Sequence, residues 1–211
     1  MKLENKPHSK GTASLFSNRA LERLTRTHIV IPLVTFMVIS GSLIYYGLFK
    51  NHITFMDIPF PFTVGLLVFT LFEYVMHRFV FHLIPKTDKQ KKFAYTAHGV
   101  HHDYPKDRDR LAMPLPLSLL ITFLFYIIFR ATMGDLVYGA LPGFLMGYTA
   151  YLWVHYMVHA YKPPRNFFKV WWVHHGTHHY KDQENAFGVS SPLWDWVFGT
   201  MPNKKNKNKV Y

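Results

Sequence analysis

The stretch His98-Gly99-Val100-His101-His102 recurs as His175-Gly176-Thr177-His178-His179. Each copy is a histidine, two spacers and a histidine pair. On an α-helix, positions i, i+3 and i+4 share a face, so each copy is expected to present three imidazoles together, a geometry suited to a metal ion. Two further pairs, His77 with His82 and His155 with His159, bring the clustered histidines to ten of the chain's 14. A lone histidine is ordinarily a surface or satisfied core residue, and His8, His28 and His52 are read that way. Two copies of one HxxHH pattern plus two pairs are not explained so simply; they point to a multi-histidine metal site.

Outward from these clusters the chain is apolar in long runs. Residues 29–49 carry no charged side chain, enough to cross a bilayer as a helix, with Pro32 tolerable in the first turn. Residues 51–61 read as a short crossing in which Pro59 and Pro61 break any helix. The second span runs from 62 to about 80. Glu73, His77 and Arg78 fall in its last turns, where charge is costly and functional unless that end already lies among headgroups. Pro114 and Pro116 open a third span at 117–133. Arg130 snorkels to the far interface, and Gly134 with Asp135 makes a tight turn into a fourth span at 136–158. Residues 160–202 are amphipathic and carry four tryptophans, a residue favoured at membrane interfaces.

Charge orders these spans. Lys plus Arg number six before the first, one between the first and second, eight from Arg78 to Arg110, one at Arg130 and eight from Lys162 onward. With four spans the three heavy segments share a side, and the positive-inside rule makes it cytosolic. All four histidine clusters fall at or beyond the cytosolic ends of spans two and four. The expected fold class is therefore all-α and integral to the membrane, with four transmembrane helices and a cytosolic helical cap that holds the histidines. Three regions follow: a cytosolic N-terminal arm at 1–27, with an interfacial helix around 15–24; a membrane domain at 28–202; and a basic, disordered tail at 203–211. Both termini are cytosolic. The arm is too long and too mixed in charge for a signal peptide, and no small-residue cleavage site follows the apolar run.

Composition removes other classes. The net charge of +12 would suggest nucleic acid in a soluble protein, but the apolar runs make the bilayer the better partner, and no nucleic-acid partner is expected. Zero cysteines exclude disulfides, iron–sulfur clusters, thiolate zinc sites and CxxCH haem attachment. A zincin protease needs HExxH, whereas Tyr156 follows His155. No Gly-rich phosphate loop or GxSxG elbow occurs.

Neutral imidazole binds zinc, iron, copper or nickel. Ten imidazoles exceed the capacity of one ion, so two ions with four or five ligands each are expected. His77 and His82 lie roughly 140° apart round an ideal helix; they serve different ions or the helix breaks between them. Asp103, Asp182 and Glu184 could orient imidazoles from behind or be plain solvated loop charges. A two-metal site under a lipid layer suits iron and dioxygen. Zinc could take the same ligands without activating O2, and ligand type alone does not separate the two.

Glu73-Tyr74, His77-Arg78-Phe79, Phe81-His82 and the first HxxHH copy together resemble the fatty acid hydroxylase (sterol desaturase) superfamily, most closely its fatty acid 2-hydroxylase branch. The segment from His102-Asp103-Tyr104-Pro105 through Arg110-Leu111 to Pro114 is similar to a loop of that branch. So are Gly147-Tyr148, His155-Tyr156, His159, His174-His175 with His178-His179, Phe187-Gly188-Val189-Ser190, Trp194-Asp195 and Phe198-Gly199-Thr200. The resemblance covers about residues 60–200. It implies a four-span helical protein with a cytosol-facing di-iron site, zinc being possible in a purified or crystallised form. It implies O2-dependent hydroxylation at C2 of an acyl chain, free or in a ceramide-type sphingolipid. The implied ligands are His77, His82, His98, His101, His102, His155, His159, His175, His178 and His179, with His175 favoured over His174 by the HxxHH spacing. Yeast and animal members carry an N-terminal cytochrome b5 domain that this sequence does not contain, so the implied electron source is a separate carrier of cytochrome b5 or ferredoxin type. Leu152 stands where the branch often has an acidic residue.

Other readings of the same features are a sterol or carotenoid hydroxylase or desaturase, a non-redox zinc membrane protein, and a metal transporter. A transporter would spread its ligands through the bilayer depth, whereas these gather on one side. Lys207 and Lys209 resemble an endoplasmic-reticulum retrieval signal, and the expected membrane is that of the reticulum in a eukaryote or the inner membrane in a bacterium.

Overall fold

The computed structural model describes residues 7, 8, 10–50 and 52–202. The tail at 203–211, with its lysines, lies outside them. Regular structure among the described residues is helical throughout, with no strand. The helices are α1 (Arg19–Leu24), α2 (Val30–Phe49), α3 (Pro59–Val75), α4 (Asp88–Ala94), α5 (Val100–Asp103), α6 (Leu115–Met133), α7 (Val137–Ala160), α8 (Lys169–Tyr180) and α9 (Leu193–Val197).

Local sequence explains where several of these begin. Asn18 caps α1 by accepting the N–H groups of Ala20 and Leu21 at 2.9 and 3.2 Å. Thr87 caps α4 by accepting the N–H of Gln90. Pro59 and Pro61, expected from sequence to break any helix, do not keep their stretch out of one. They open α3, because a proline in the first turn gives up an N–H that has no intrahelical partner anyway.

Three stretches are long and apolar enough to cross a membrane: Val30–Phe49, Phe55–Phe81 and Arg108–Ala160. The third holds two helices, α6 and α7, because the chain turns at Gly134, whose φ of 60° favours glycine. Phe125 then stacks on Phe144 at 4.1 Å, so the two helices run back along each other. At this turn Arg130 is ion-paired with Asp135, with His52 Nδ1 3.3 Å from the same carboxylate. This exposed salt bridge closes the turn.

Helix α7 is the centre of the bundle, with α2, α3 and α6 packed round it. Its closest neighbour is α3, and small residues make that possible. A Cβ on Gly143 would sit 2.0 Å from the Phe62 carbonyl oxygen, and one on Gly65 would sit 1.8 Å from that of Ala140. Gly139, Gly143 and Gly147 recur every fourth residue of α7 and face Pro61, Phe62 and Phe69, the small-residue stripe that lets membrane helices touch. Around this seam Phe36, Phe69, Leu141, Phe144 and Leu145 form the core. The outward faces of α2 and α6 expose Val34, Val38, Leu120, Phe123, Leu124 and Ile128, an apolar surface of the kind that meets lipid or another apolar partner. Because α3 and α7 are locked side by side, His77 at the end of one and His155 at the end of the other are brought to the same place.

Candidate metal centre

Three departures from plain α-helix build the site. After Val75 the chain continues as a π-helical stretch, Met76–Phe81, and His82 N–H bonds the His77 carbonyl at 3.1 Å. An i→i+5 turn carries residues five apart onto nearly one face, and such turns are frequent at functional sites. The sequence expectation offered different ions or a broken helix for His77 and His82; the helix does change there, and both imidazoles point into one group. A second π stretch, Tyr95–Gly99, carries His98 into the single turn of α5. The third departure is the loop at 185–190, where Ala186 takes a φ of 60°, a left-handed conformation that is a genuine oddity for a residue with a Cβ.

The ten clustered histidines come together as two groups of five. The first is His77, His82, His98, His102 and His178; the second is His101, His155, His159, His175 and His179. Within each group one ring nitrogen per residue lies within 4.8 Å of all the others. The sequence left open which histidine serves which ion, and the two groups divide each HxxHH copy between them. Each copy sends its i and i+4 histidines to one group and its i+3 histidine to the other. An α-helical face is broad enough that a 100° step from i+3 to i+4 aims neighbouring rings at different centres. The copies therefore cross-link the two groups: His101 leaves the first copy to join the second group, and His178 does the reverse.

The spacing suits a metal. His77 Nε2 and His98 Nε2 are 3.0 Å apart, His98 and His102 3.1 Å, and His82 and His178 2.9 Å. In the second group His101 and His155 are 3.0 Å apart, His159 and His175 2.8 Å. Imidazole nitrogens held about 2.1 Å from one ion and a right angle apart would be separated by roughly 3.0 Å. Burial, and after it the other imidazoles, holds His98, His101, His102, His175, His178 and His179 well below the ordinary histidine pKa, which keeps them neutral and able to donate a lone pair.

Hydrogen bonds behind the rings choose the tautomer. Nδ1–H of His77 donates to the Phe187 carbonyl at 2.5 Å, that of His178 to Asn185 at 2.8 Å, and that of His155 to Leu111 at 3.2 Å. Each leaves Nε2 free to ligate. His179 is fully buried, and neither of its ring nitrogens has a hydrogen-bond partner among the described residues. A buried polar atom so placed calls for a partner, and a metal among the five rings would supply one. The residues present fit a pair of ions.

Two buried carboxylates hold the loop that supplies these carbonyls. Glu73 accepts the N–H groups of Val189 and Ser190 at 2.6 and 2.9 Å and the Ser190 hydroxyl. Asp195 accepts the N–H groups of Phe187 and Gly188 at 2.9 and 2.8 Å, the Thr200 hydroxyl, and His174 Nε2 at 2.9 Å. His174 thus lies outside both groups. Among the described residues none of Asp103, Asp182 and Glu184 hydrogen-bonds an imidazole; Asp182 instead takes the Asn185 side chain at 3.0 and 3.1 Å. Sequence proximity chose those three. The signal for Glu73 was its position, one helical turn before His77 on the same face. Asp195 carried no local signal beyond the resemblance.

A cavity of about 630 Å³ opens beside the histidines, within the range of small-molecule sites. His77, His98, His101 and His155 form its floor, so it reaches both groups. Its walls are mostly apolar, from α3, α6, α7 and, on one side, from Leu15, Phe16, Leu21 and Leu24 of the N-terminal arm. The helix expected around 15–24 is present only from Arg19, and it faces this cavity. A smaller cleft of about 270 Å³, with Lys106 and Lys162 at its rim, reaches His159, His175 and His179 of the second group.

Comparisons with known proteins agree on the family. The pattern of the fatty acid hydroxylase family matches residues 62–200. The chain is 38% identical over 147 residues to the dihydroceramide fatty acyl 2-hydroxylase FAH1 of Arabidopsis thaliana, covering 69% of this chain and 62% of that protein. It is 35% identical over 198 residues to the ceramide very long chain fatty acid hydroxylase SCS7 of Saccharomyces cerevisiae, covering 92% and 50% respectively. This chain thus spans only half to three-fifths of those relatives. Among solved structures, full-length Scs7p, of which only the hydroxylase domain is visible, superposes with a TM-score of 0.83 at 34% identity, covering 92% of this chain and 74% of that one.

Proposed function

The chain belongs to the fatty acid hydroxylase family, and from that premise we propose that it is a membrane di-iron monooxygenase that hydroxylates C2 of a fatty acyl chain, free or within a ceramide-type lipid. The observation that carries this reading is the meeting of both five-histidine groups on the floor of one apolar cavity. Zinc would fit the same nitrogens, but inserting oxygen into an unactivated C–H bond needs a metal that changes oxidation state. Bound iron would deliver electrons to O2 at the cavity floor and so generate the oxidant.

The protein's own residues do the rest. His77, His82, His98, His102 and His178 would hold one ion; His101, His155, His159, His175 and His179 would hold the other. The carbonyls of Phe187, Asn185 and Leu111 keep three of those rings facing inward. Phe69, Phe72, Leu117 and Ile121 line the walls, where they would exclude water and hold the acyl chain extended.

The same proposal fixes topology. The helices α2, α3, α6 and α7 cross the bilayer four times, and the heavily basic segments with the histidine cap face the cytosol. Electrons come from a one-electron carrier of cytochrome b5 or ferredoxin type, favoured by the basic rim at Lys106 and Lys162 beside the second group.

The test is lipid mass spectrometry of cells expressing the chain or its His101→Ala, His178→Ala double variant, together with metal analysis of purified protein. The expected result is 2-hydroxy acyl lipid and about two iron ions per chain for the wild type, and neither for the variant. Product that persists unchanged in the variant overturns the assignment.

A further inference from the structure

Four apolar side chains that line the large cavity are also between 47 and 53% exposed: Leu21, Leu24, Phe93 and Leu117. A side chain that faces both the cavity and the outside marks a mouth. These four come from α1, α4 and α6, so the mouth lies where those three elements meet. Leu117 stands in the first turn of α6, and the exposed Leu120 and Leu124 continue its face along the helix. An acyl chain can therefore pass from the outer surface of the bundle into the cavity along apolar side chains, without wetting its CH2 groups.

The two short helices at this mouth suit the cytosolic leaflet. Helix α1 exposes Leu21 and Leu24 beside Arg19 and Arg23, and α4 exposes Phe93 beside Lys89, Lys91 and Lys92. Apolar side chains set among basic ones are the pattern of a helix lying in a membrane surface, and anionic headgroups attract such charges. Acids do little to offset them: Glu22 of α1 is turned inward to Arg110, and α4 carries Asp88 alone.

Helix α1 is held there by a polar latch rather than by packing. None of its residues is buried. The chain on either side of it is pinned to the loop before α6: His8 N–H donates to the Asp103 carbonyl and Thr27 N–H to the Asp109 carbonyl, both at 2.7 Å, and the Thr12 hydroxyl bonds Asp107. Between these pins the Glu22 carboxylate accepts the N–H groups of Leu15 and Phe16 at 2.9 and 3.1 Å, and the guanidinium groups of Arg26 and Arg110 at 3.2 and 2.5 Å. The Arg110 side chain is enclosed, so the latch closes on a fixed point. We propose that α1 is a lid on a lateral mouth, through which a lipid of the cytosolic leaflet brings its acyl chain sideways into the cavity. This rests on the reading of the cavity as an acyl site and deepens it: the substrate arrives from the bilayer, not from water.

The chain has no cysteine, so an introduced one reports a single position. In the full metal-loaded chain in lipid nanodiscs, a bimane label at Leu24→Cys, Phe93→Cys or Leu117→Cys should be quenched by doxyl-labelled lipid and spared by aqueous iodide. A label at Glu184→Cys, exposed after α8, should show the reverse. Entry is read with a ceramide that carries a diazirine in its acyl chain, by its light-driven insertion into the 148–155 stretch of α7 at the inner wall of the cavity. Joining Leu24→Cys to Phe93→Cys with a reducible bifunctional maleimide, at retained metal content, should abolish that insertion, and reducing the linker should restore it. Glu22→Gln keeps the shape of the latch and removes its charge. It should speed insertion about tenfold at unchanged final yield, the scale of one hydrogen bond to a charged group. The proposal is overturned if iodide quenches the three mouth labels and doxyl lipid does not, if the linked protein is labelled as fast as the reduced one, or if Glu22→Gln leaves the rate unchanged. A wild type never labelled at 148–155 would remove the acyl-site reading and the lid with it. One labelled through the mouth that makes no 2-hydroxy lipid would sink the enzymatic reading and leave the mouth standing.

Discussion

The two histidine groups have the same number of rings but different support. In the first, His77 and His178 are held from behind by carbonyls of one loop, and that loop is pinned by two buried carboxylates, Glu73 and Asp195. In the second, only His155 has such an anchor among the described residues; the Nδ1 atoms of His101, His175 and His179 are buried with no partner among them. The first group is preorganised by the protein. The second leaves more of its order to whatever binds between its rings. Rings with no hydrogen bond behind them must be oriented by the ion itself, which takes free energy from binding, so the two halves of one centre should differ in how tightly they hold an ion.

The largest effect tests whether the crossing of the HxxHH copies is real. His101→Ala should deplete the second group and spare the first, although His101 sits between His98 and His102 of the first. His178→Ala should do the reverse. Product should fall in each beyond the roughly hundredfold that outer supports command, and anomalous diffraction at the metal edge would show which ion is gone. Loss of the ion on the residue's own copy instead would break the comparison.

A smaller effect concerns the support itself. During chelator treatment the second group should release its ion first and the first group more slowly. Asp195→Ala should erase that lag by speeding release from the first group about 10- to 100-fold, the usual range for partners behind metal ligands. A single-phase release in the wild type would show that the two groups are equally held.

The smallest effect is a check on sequence proximity as a guide. Glu184→Ala, next to the loop but without a hydrogen bond to any imidazole among the described residues, should leave metal content unchanged and thermal stability within about 0.5 kcal/mol. A loss comparable to that of Asp195→Ala would mean that charge near the loop, rather than a bonded carboxylate, supports the site.

Much of this was legible in the chain. Long uncharged runs separated by prolines and Gly134 gave the helices, because a segment that must satisfy its backbone internally has few alternatives. The repeated HxxHH pattern gave the metal-ligating candidates, because imidazoles do not cluster so densely without a use. What could not be read was their partition. It depends on two π turns, which no local pattern announces, and on the glycine stripe of α7, which decides how close α3 approaches. Nor did proximity identify the supporting carboxylates: Asp195 reaches the site only when the loop at 185–190 folds back beneath α8.

The amino-acid order alone thus determined which runs are apolar enough to enter a bilayer and which side chains carry nitrogens suited to a metal, since both are properties of single side chains and their spacing. Which imidazole shares a centre with which, and that Arg110 and the N-terminal arm border the same cavity, were decided only by the tertiary packing. Those relations join residues distant in sequence, and their distances exist only after the helices have docked.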